Sequence, residues 1–159
     1  MLKNGKVGTS KKVYQYAIGS DTWTEAAPLN RGRKNHSSCV VGDSIYICGG
    51  LNKVREYCES IEKLTVFASA PSDKNSTTCW SSYWEVLNIV TPKIKSFLMV
   101  PVSMSEILFL GGERYDETIC EVSALNLKEM SWKVVYEAPS SFGFHQENNS
   151  YQKSQAGVV

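Results

Sequence analysis

Histidine is nearly missing from this chain, with His36 and His145 alone, and its five cysteines include no C-x-x-C pair. A zinc site needs clustered thiolates and imidazoles at short spacings, so metal binding is not expected. No run of 18 apolar residues is present to span a bilayer. Residues 1–6 lead into polar sequence instead of a signal-peptide core, and the chain reads as cytoplasmic. With 17 basic and 16 acidic residues the net charge is +1. That balance, without a basic stripe interleaved with aromatics, excludes a broad nucleic-acid or membrane footprint. The glycines never form G-x-x-x-x-G-K-[ST], so a phosphate loop is absent. No long segment keeps a 3.6-residue apolar period, so helix is not expected beyond a turn or two.

What is present is a repeat. Gly49-Gly50 follows Trp23 by 26 residues, and Gly111-Gly112 follows Trp84 by 27. An apolar run precedes each doublet, Ile45-Tyr46-Ile47-Cys48 in the first copy and Ile107-Leu108-Phe109-Leu110 in the second. Trp80 competes with Trp84 as the repeat tryptophan, and the matched distances favour Trp84. Trp132 follows Trp84 by 48 residues, whereas Trp23 and Trp84 are 61 apart. The excess falls in a polar stretch, residues 71–83, that reads as an insertion. Periods of about 50 residues point to propeller blades.

Elementary chemistry accounts for each part. Blades are four-stranded antiparallel sheets stacked face to face, so inner strands buried on both sides become continuous apolar runs. Glycine doublets suit places where a side chain would crowd a neighbouring backbone or φ is positive. Gly42-Asp43, between two apolar strands, suits a tight hairpin. The tryptophans are expected to fill the space between blades.

The copy Trp23, Pro28-Leu29-Asn30, Arg33, His36-Ser37-Ser38, Gly42-Asp43, Ile45-Tyr46 and Gly49-Gly50 resembles the kelch repeat, and the resemblance runs from about Val13 to Glu137. It implies an all-β chain of kelch-type propeller blades, with Trp23, Gly49, Gly50, Trp84, Gly111, Gly112 and Trp132 as structural repeat residues. The expected organisation is an N-terminal tail over 1–11, the end of a preceding blade over 12–27, blade one over 36–90 and blade two over 96–137. A polar tail over 138–159 follows. The second copy is poorer, because residues 96–102 lack the Arg and His cues. Two and a half blades do not close a ring of four to eight. The chain is therefore expected to be a piece of a longer propeller, or to close one with a second chain; a degenerate third blade from the two ends is the alternative.

Candidate chemistry is sparse. His36 beside Ser37 or Cys39 is no triad, since adjacent strand residues point to opposite faces; His36 is expected to hydrogen-bond between blades, and His145 lies in the tail. Cys39 and Cys48 are expected to pack as small hydrophobes, and Cys79, beside Trp80, to be the exposed thiol. One kelch-like branch, resembling galactose oxidase, holds copper with Tyr and His, but two histidines are few for such a site. No catalytic residue and no cofactor are assigned, and the chain is not expected to be an enzyme.

Loops on one rim remain as a binding surface. Antiparallel order brings 29–35, 51–57, 91–95 and 113–119 together. The partner-binding candidates are Arg31, Arg33, Lys34, Asn35, Lys53, Arg55 and Arg114, with Trp80 and Tyr83 as an aromatic alternative. They suit an acidic or phosphorylated segment of another protein. The resemblance implies a non-catalytic interaction scaffold, cytoskeletal or ciliary, or the substrate-recognition part of a ubiquitin-ligase adaptor, which requires a BTB or F-box segment upstream. Arg33 matches the repeat arginine of the family, while Asn35 stands where some substrate-receptor kelch proteins carry a peptide-reading arginine.

Overall fold

The computed structural model describes residues 8–67, 79–80 and 83–137. Among them every regular element is a strand, and every strand pairing is antiparallel. A hairpin of β1 (Val13–Ala17) and β2 (Thr22–Ala26) comes first. Blade one is β3 (Ser37–Val41), β4 (Ser44–Cys48), β5 (Ser60–Phe67) and β7 (Glu85–Val90), hydrogen-bonded in that order. The short β6 (Cys79–Trp80), inside the expected insertion, pairs its backbone with the far end of β5. Blade two is β8 (Leu98–Ser103), β9 (Glu106–Leu110), β12 (Glu121–Asn126) and β13 (Ser131–Glu137). Between its second and third strands stands a small separate hairpin, β10 (Glu113–Arg114) and β11 (Glu117–Thr118), in a segment expected to be loop. Most of the insertion and the C-terminal tail, with His145, lie outside the described residues.

The β3–β4 turn has two residues, Gly42-Asp43, between the paired Val41 and Ser44. Gly42 takes φ 59°, and glycine at the first turn position is the type II′ solution that matches strand twist.

Blade one is covered on both faces. Toward blade two it presents Val41, Tyr46, Cys48 and Ile61, which meet Ile94, Phe97, Met99, Ile107, Phe109 and Leu125 in one buried cluster. There Phe97 stacks on Phe109 at 5.4 Å, and Trp132 meets Phe109 edge-on at 4.3 Å. The other face puts Ile47, Leu64 and Trp84 against Leu29, with Val13 and Ala27 beside them. Burying each such side chain contributes about 1.5–3 kcal/mol. Alternate residues of β4 thus enter different interfaces, which is why the run carries no polar residue.

Trp84 faces the β1–β2 hairpin and Trp132 faces blade one, each toward the sheet before it. Trp23 lies opposite Tyr16, the rings 4.9 Å apart, on the hairpin face turned away from blade one, and is 68 % exposed among the described residues. One expectation needs correction. The run Ile107–Leu110 is buried on one side only. Ile107 and Phe109 are enclosed, but Leu108 and Leu110 are half-buried, since among the described residues no sheet packs on the outer face of blade two.

Both glycine doublets do two jobs at once. Gly50 has φ 81° and a Cβ there would strike the carbonyl oxygen of Lys34. Gly112 has φ 111°, and its Cβ would fall 2.8 Å from the Cβ of Phe97 and 2.9 Å from the carbonyl oxygen of Lys95.

Candidate functional site

The rim is organised from a buried charge. Glu62, in the apolar β5, accepts four hydrogen bonds: from the backbone N–H of Asn30 at 2.6 Å, the Asn30 amide at 3.1 Å, the Arg31 N–H at 3.2 Å and the Arg33 guanidinium at 2.6 Å. Trp84 reinforces the same loop, its indole N–H donating to the Ala27 carbonyl at 2.8 Å while its own carbonyl accepts from Asn30 at 2.7 Å. Loop 27–33 is therefore rigid where it presents Arg31.

Arg33, grouped with the partner-binding candidates, belongs inside. Its side chain is out of solvent, and its guanidinium also donates to the carbonyls of Gly49 at 3.0 Å and Ser60 at 3.2 Å. A guanidinium so occupied has no face to offer a ligand.

The neighbouring loop, 51–57, is held by Asn52. Its Oδ1 accepts from the N–H groups of Val54 and Glu56, both at 2.9 Å, and its amide donates to the Glu56 carboxylate at 2.9 Å. Arg55 takes φ 66°. Lys53, Val54 and Arg55 form an exposed tip, and Leu51 bridges Lys34 and Tyr57.

From blade two, the β10–β11 hairpin leans onto this loop. Its turn residues, Tyr115 and Asp116, have φ 51° and 66°, a type I′ geometry that usually falls to Asn and Gly. Tyr57 secures it, its hydroxyl accepting from the Tyr115 N–H at 2.6 Å and its ring meeting Tyr115 at 5.5 Å. Three grooves run between these parts. One of about 460 Å³ lies among Lys11, Arg31, Lys53 and Val54. Another of about 390 Å³ lies among Lys34, Asn35, Arg55 and Asp116, and a third of about 510 Å³ among Arg31, Arg55, Lys93 and Tyr115.

Charge pairing divides the rim cations. Lys95 contacts Asp116 at 2.7 Å and Glu113 at 3.1 Å, Arg114 meets Glu121 at 3.5 Å, and Lys93 reaches Glu59 at 3.9 Å. Hydrogen bonds donated to Asp116 and Glu113 push the Lys95 ammonium well above its usual pKa, and Lys95 in turn lowers the Asp116 carboxyl. A hydrogen bond to Tyr115, and then the charges around it, raise Lys93. Arg31, Lys34, Lys53 and Arg55 have no ion pair among the described residues.

The other candidates are scattered. Asn35, at φ 56°, faces Ser96 across the blades and shares its positive φ. Tyr83 is exposed at the start of the last strand of blade one, away from the three grooves, and the side chains of Trp80 and Cys79 lie outside the described residues. Desolvation of the His36 ring, and then the nearby Arg33, lower its pKa from the ordinary value, although the residue as a whole is exposed. Among the described residues no three His, Cys, Asp or Glu side chains gather as a metal site.

Sequence reading passed over Glu62, Tyr57 and Tyr115. The acid sharing one strand face with Leu64 and Val66 was the available signal for the first, since an acid on a buried face needs a cation. The tyrosines carried no local signal.

Residues 32–65, from the buried Arg33 into β5, match the kelch motif. This is a kelch-repeat chain. Over 108 residues, or 68 % of its length, it is 38 % identical to Kelch-like protein 36 of Bos taurus, and over 135 residues, or 83 %, it is 24 % identical to Kelch-like protein terF of Aspergillus terreus. Over 58 residues, or 36 %, it is 33 % identical to Beta-scruin of Limulus polyphemus. The chain spans 16 %, 28 % and 6 % of those three proteins, so it corresponds to a small part of each. Kelch repeats make it a protein-interaction module in general kind, and the rim is where its loops from both blades converge.

Proposed function

We propose that the kelch rim binds an acidic or phosphorylated segment of another protein and performs no catalysis of its own. The observation that carries this is the set of groove cations, Lys11, Arg31, Lys34, Lys53 and Arg55, that have no ion pair among the described residues, whereas Lys93 and Lys95 beside them do. Glu62 and Asn52 hold the two loops before a ligand arrives, which lowers the ordering cost of binding. Carboxylate and phosphate both fit the planar fork of arginine.

A fluorescent Asp/Glu-rich peptide and its phosphoserine counterpart, titrated into the chain, test this. Charge reversal by Arg31→Glu with Arg55→Glu is expected to weaken binding at least tenfold, about 1.4 kcal/mol, and added salt to weaken the parent complex. Binding that ignores both the reversal and the salt would remove the reading.

A second kind of partner is supported by the open faces. Leu98, Val102 and Tyr136 are exposed on blade two, and Tyr14, Tyr16 and Trp23 on the β1–β2 hairpin. Further blades, or a second chain, would cover them. A monodisperse, well-folded monomer by light scattering would argue against that.

A further inference from the structure

We propose that Tyr115 is a modification site, phosphorylated on its hydroxyl by a tyrosine kinase, and that the phosphate then occupies the cationic groove of its own chain in place of an acidic partner segment. The displacement rests on the rim reading above; the modification does not.

Tyr115 is 64 % exposed at the tip of the β10–β11 hairpin, among the carboxylates of Glu113, Asp116 and Glu117. That hairpin has two residues in each strand and stands outside both four-stranded sheets. Its turn holds two non-glycine residues at positive φ. Tyr57 and Lys95 tie the turn, yet the Tyr115 ring stays open to a modifying enzyme. Tyr16, also exposed, donates its hydroxyl to Asp21 at 2.5 Å, whereas Tyr115 is hydrogen-bonded to Lys93, a cation of the groove.

The surroundings suit a phosphate. The Tyr115 side chain borders the groove lined by Arg31, Arg55 and Lys93. Neither arginine has an ion pair among the described residues, and Lys93 holds Glu59 only at 3.9 Å. Two carboxylates also line this groove, Glu56, which accepts from the Asn52 amide, and Glu59, which faces Lys93 at 3.9 Å, against three cations. A phosphate dianion outcompetes Glu59 for Lys93 and draws in both arginines through charge-assisted hydrogen bonds. In the transfer itself the Tyr115 oxygen attacks the γ-phosphorus of ATP, the bond to the β,γ-bridging oxygen breaks and ADP departs. The phenolic proton passes to the catalytic carboxylate of the kinase.

The chain and its Tyr115→Phe variant, each incubated with ATP and a tyrosine kinase that prefers acidic contexts, provide the test. Peptide mapping is expected to place the phosphoryl group on Tyr115, with the variant losing most of the incorporation. A phosphorus NMR titration is expected to show a phosphate pKa below the ~6 of an unpaired phosphate, restored by Arg31→Gln with Arg55→Gln. Acidic-peptide affinity is expected to fall at least tenfold on phosphorylation. Equal incorporation in Tyr115→Phe, or an unshifted phosphate pKa, overturns the proposal. If the unmodified chain ignores acidic peptides while the phosphorylated chain shows the depressed phosphate pKa, the rim reading is removed and the modification site stands.

Discussion

Arg33 and Glu62 pair at 2.6 Å with both side chains wholly out of solvent, and the corresponding positions of blade two hold Ile94 and Ser123. The correspondence is geometric. Lys34 and Lys95, the residues after Arg33 and Ile94, bridge to Leu51 and Glu113. Glu62 pairs with Ile47 as Ser123 pairs with Phe109, each the next-to-last residue of the second strand in its blade. One fold position thus tolerates either a buried ion pair or an apolar filler, and the Ser123 hydroxyl is left without a partner. The filler keeps the blade but gives up the carboxylate that fixes the loop before it.

Removing one charge should therefore cost more than removing both. Glu62→Gln is expected to destabilise the chain by about 3–5 kcal/mol, because it leaves Arg33 buried and unpaired. The double change Arg33→Met with Glu62→Leu is expected to cost less than either single change. Urea denaturation of Glu62→Gln, Arg33→Met, Glu62→Leu and the double variant measures this, and additive losses from the two changes of the pair would contradict it.

The glycine doublets should respond unequally to alanine. Gly50→Ala meets both a positive φ and the Lys34 carbonyl, so a loss above about 2 kcal/mol is expected. Gly111 has φ 58°, but its nearest neighbour would be the Ile119 carbonyl oxygen at 3.4 Å. Gly111→Ala should then cost only the backbone term, about 1 kcal/mol. Melting curves that rank the two alike would contradict the assignment.

Acid should weaken the fold through His36. Its pKa in the folded chain is depressed, so the unfolded chain binds the proton more readily. The contribution is complete above the unfolded value of about 6.5 and is lost as pH falls through the lower folded value. Stability measured from pH 7.5 downward should decline more steeply in the parent than in His36→Gln; parallel profiles would exclude the effect.

Thiol labelling should follow burial. Cys120 is exposed, whereas burial pushes the half-buried Cys39 up to about 11 and the enclosed Cys48 up to about 12. Since the thiolate is the reactive form, an alkylating reagent at pH 8 should modify Cys120 well before Cys39, Cys48 and Cys58. Mass mapping over time reads the order, and early loss of Cys48 would show that the interface between the blades opens.

Local chemistry was enough to read the blade strands and the Gly42-Asp43 turn, though not the short β10–β11 hairpin. Ile45–Cys48 contains no polar residue because its two faces enter different apolar interfaces, and Gly42-Asp43 announces the turn that reverses it. The doublets announced a close approach, since only glycine relieves a positive φ and a crowding carbonyl together. Those signals lie within a few residues of what they specify. The fate of a charge does not. Arg31 and Arg33 are two residues apart and alike in sequence, yet Glu62, some thirty residues on, takes Arg33 inside and leaves Arg31 at the rim. Lys95 looks as available as Lys53 until a hairpin turn brings Asp116 against it. The amino-acid sequence by itself determined the repeat, the strand pattern and the glycine sites, because backbone sterics and burial act locally. Tertiary structure alone decided which cations stay unpaired, because charge pairing acts between side chains that only the stacking of the blades brings together.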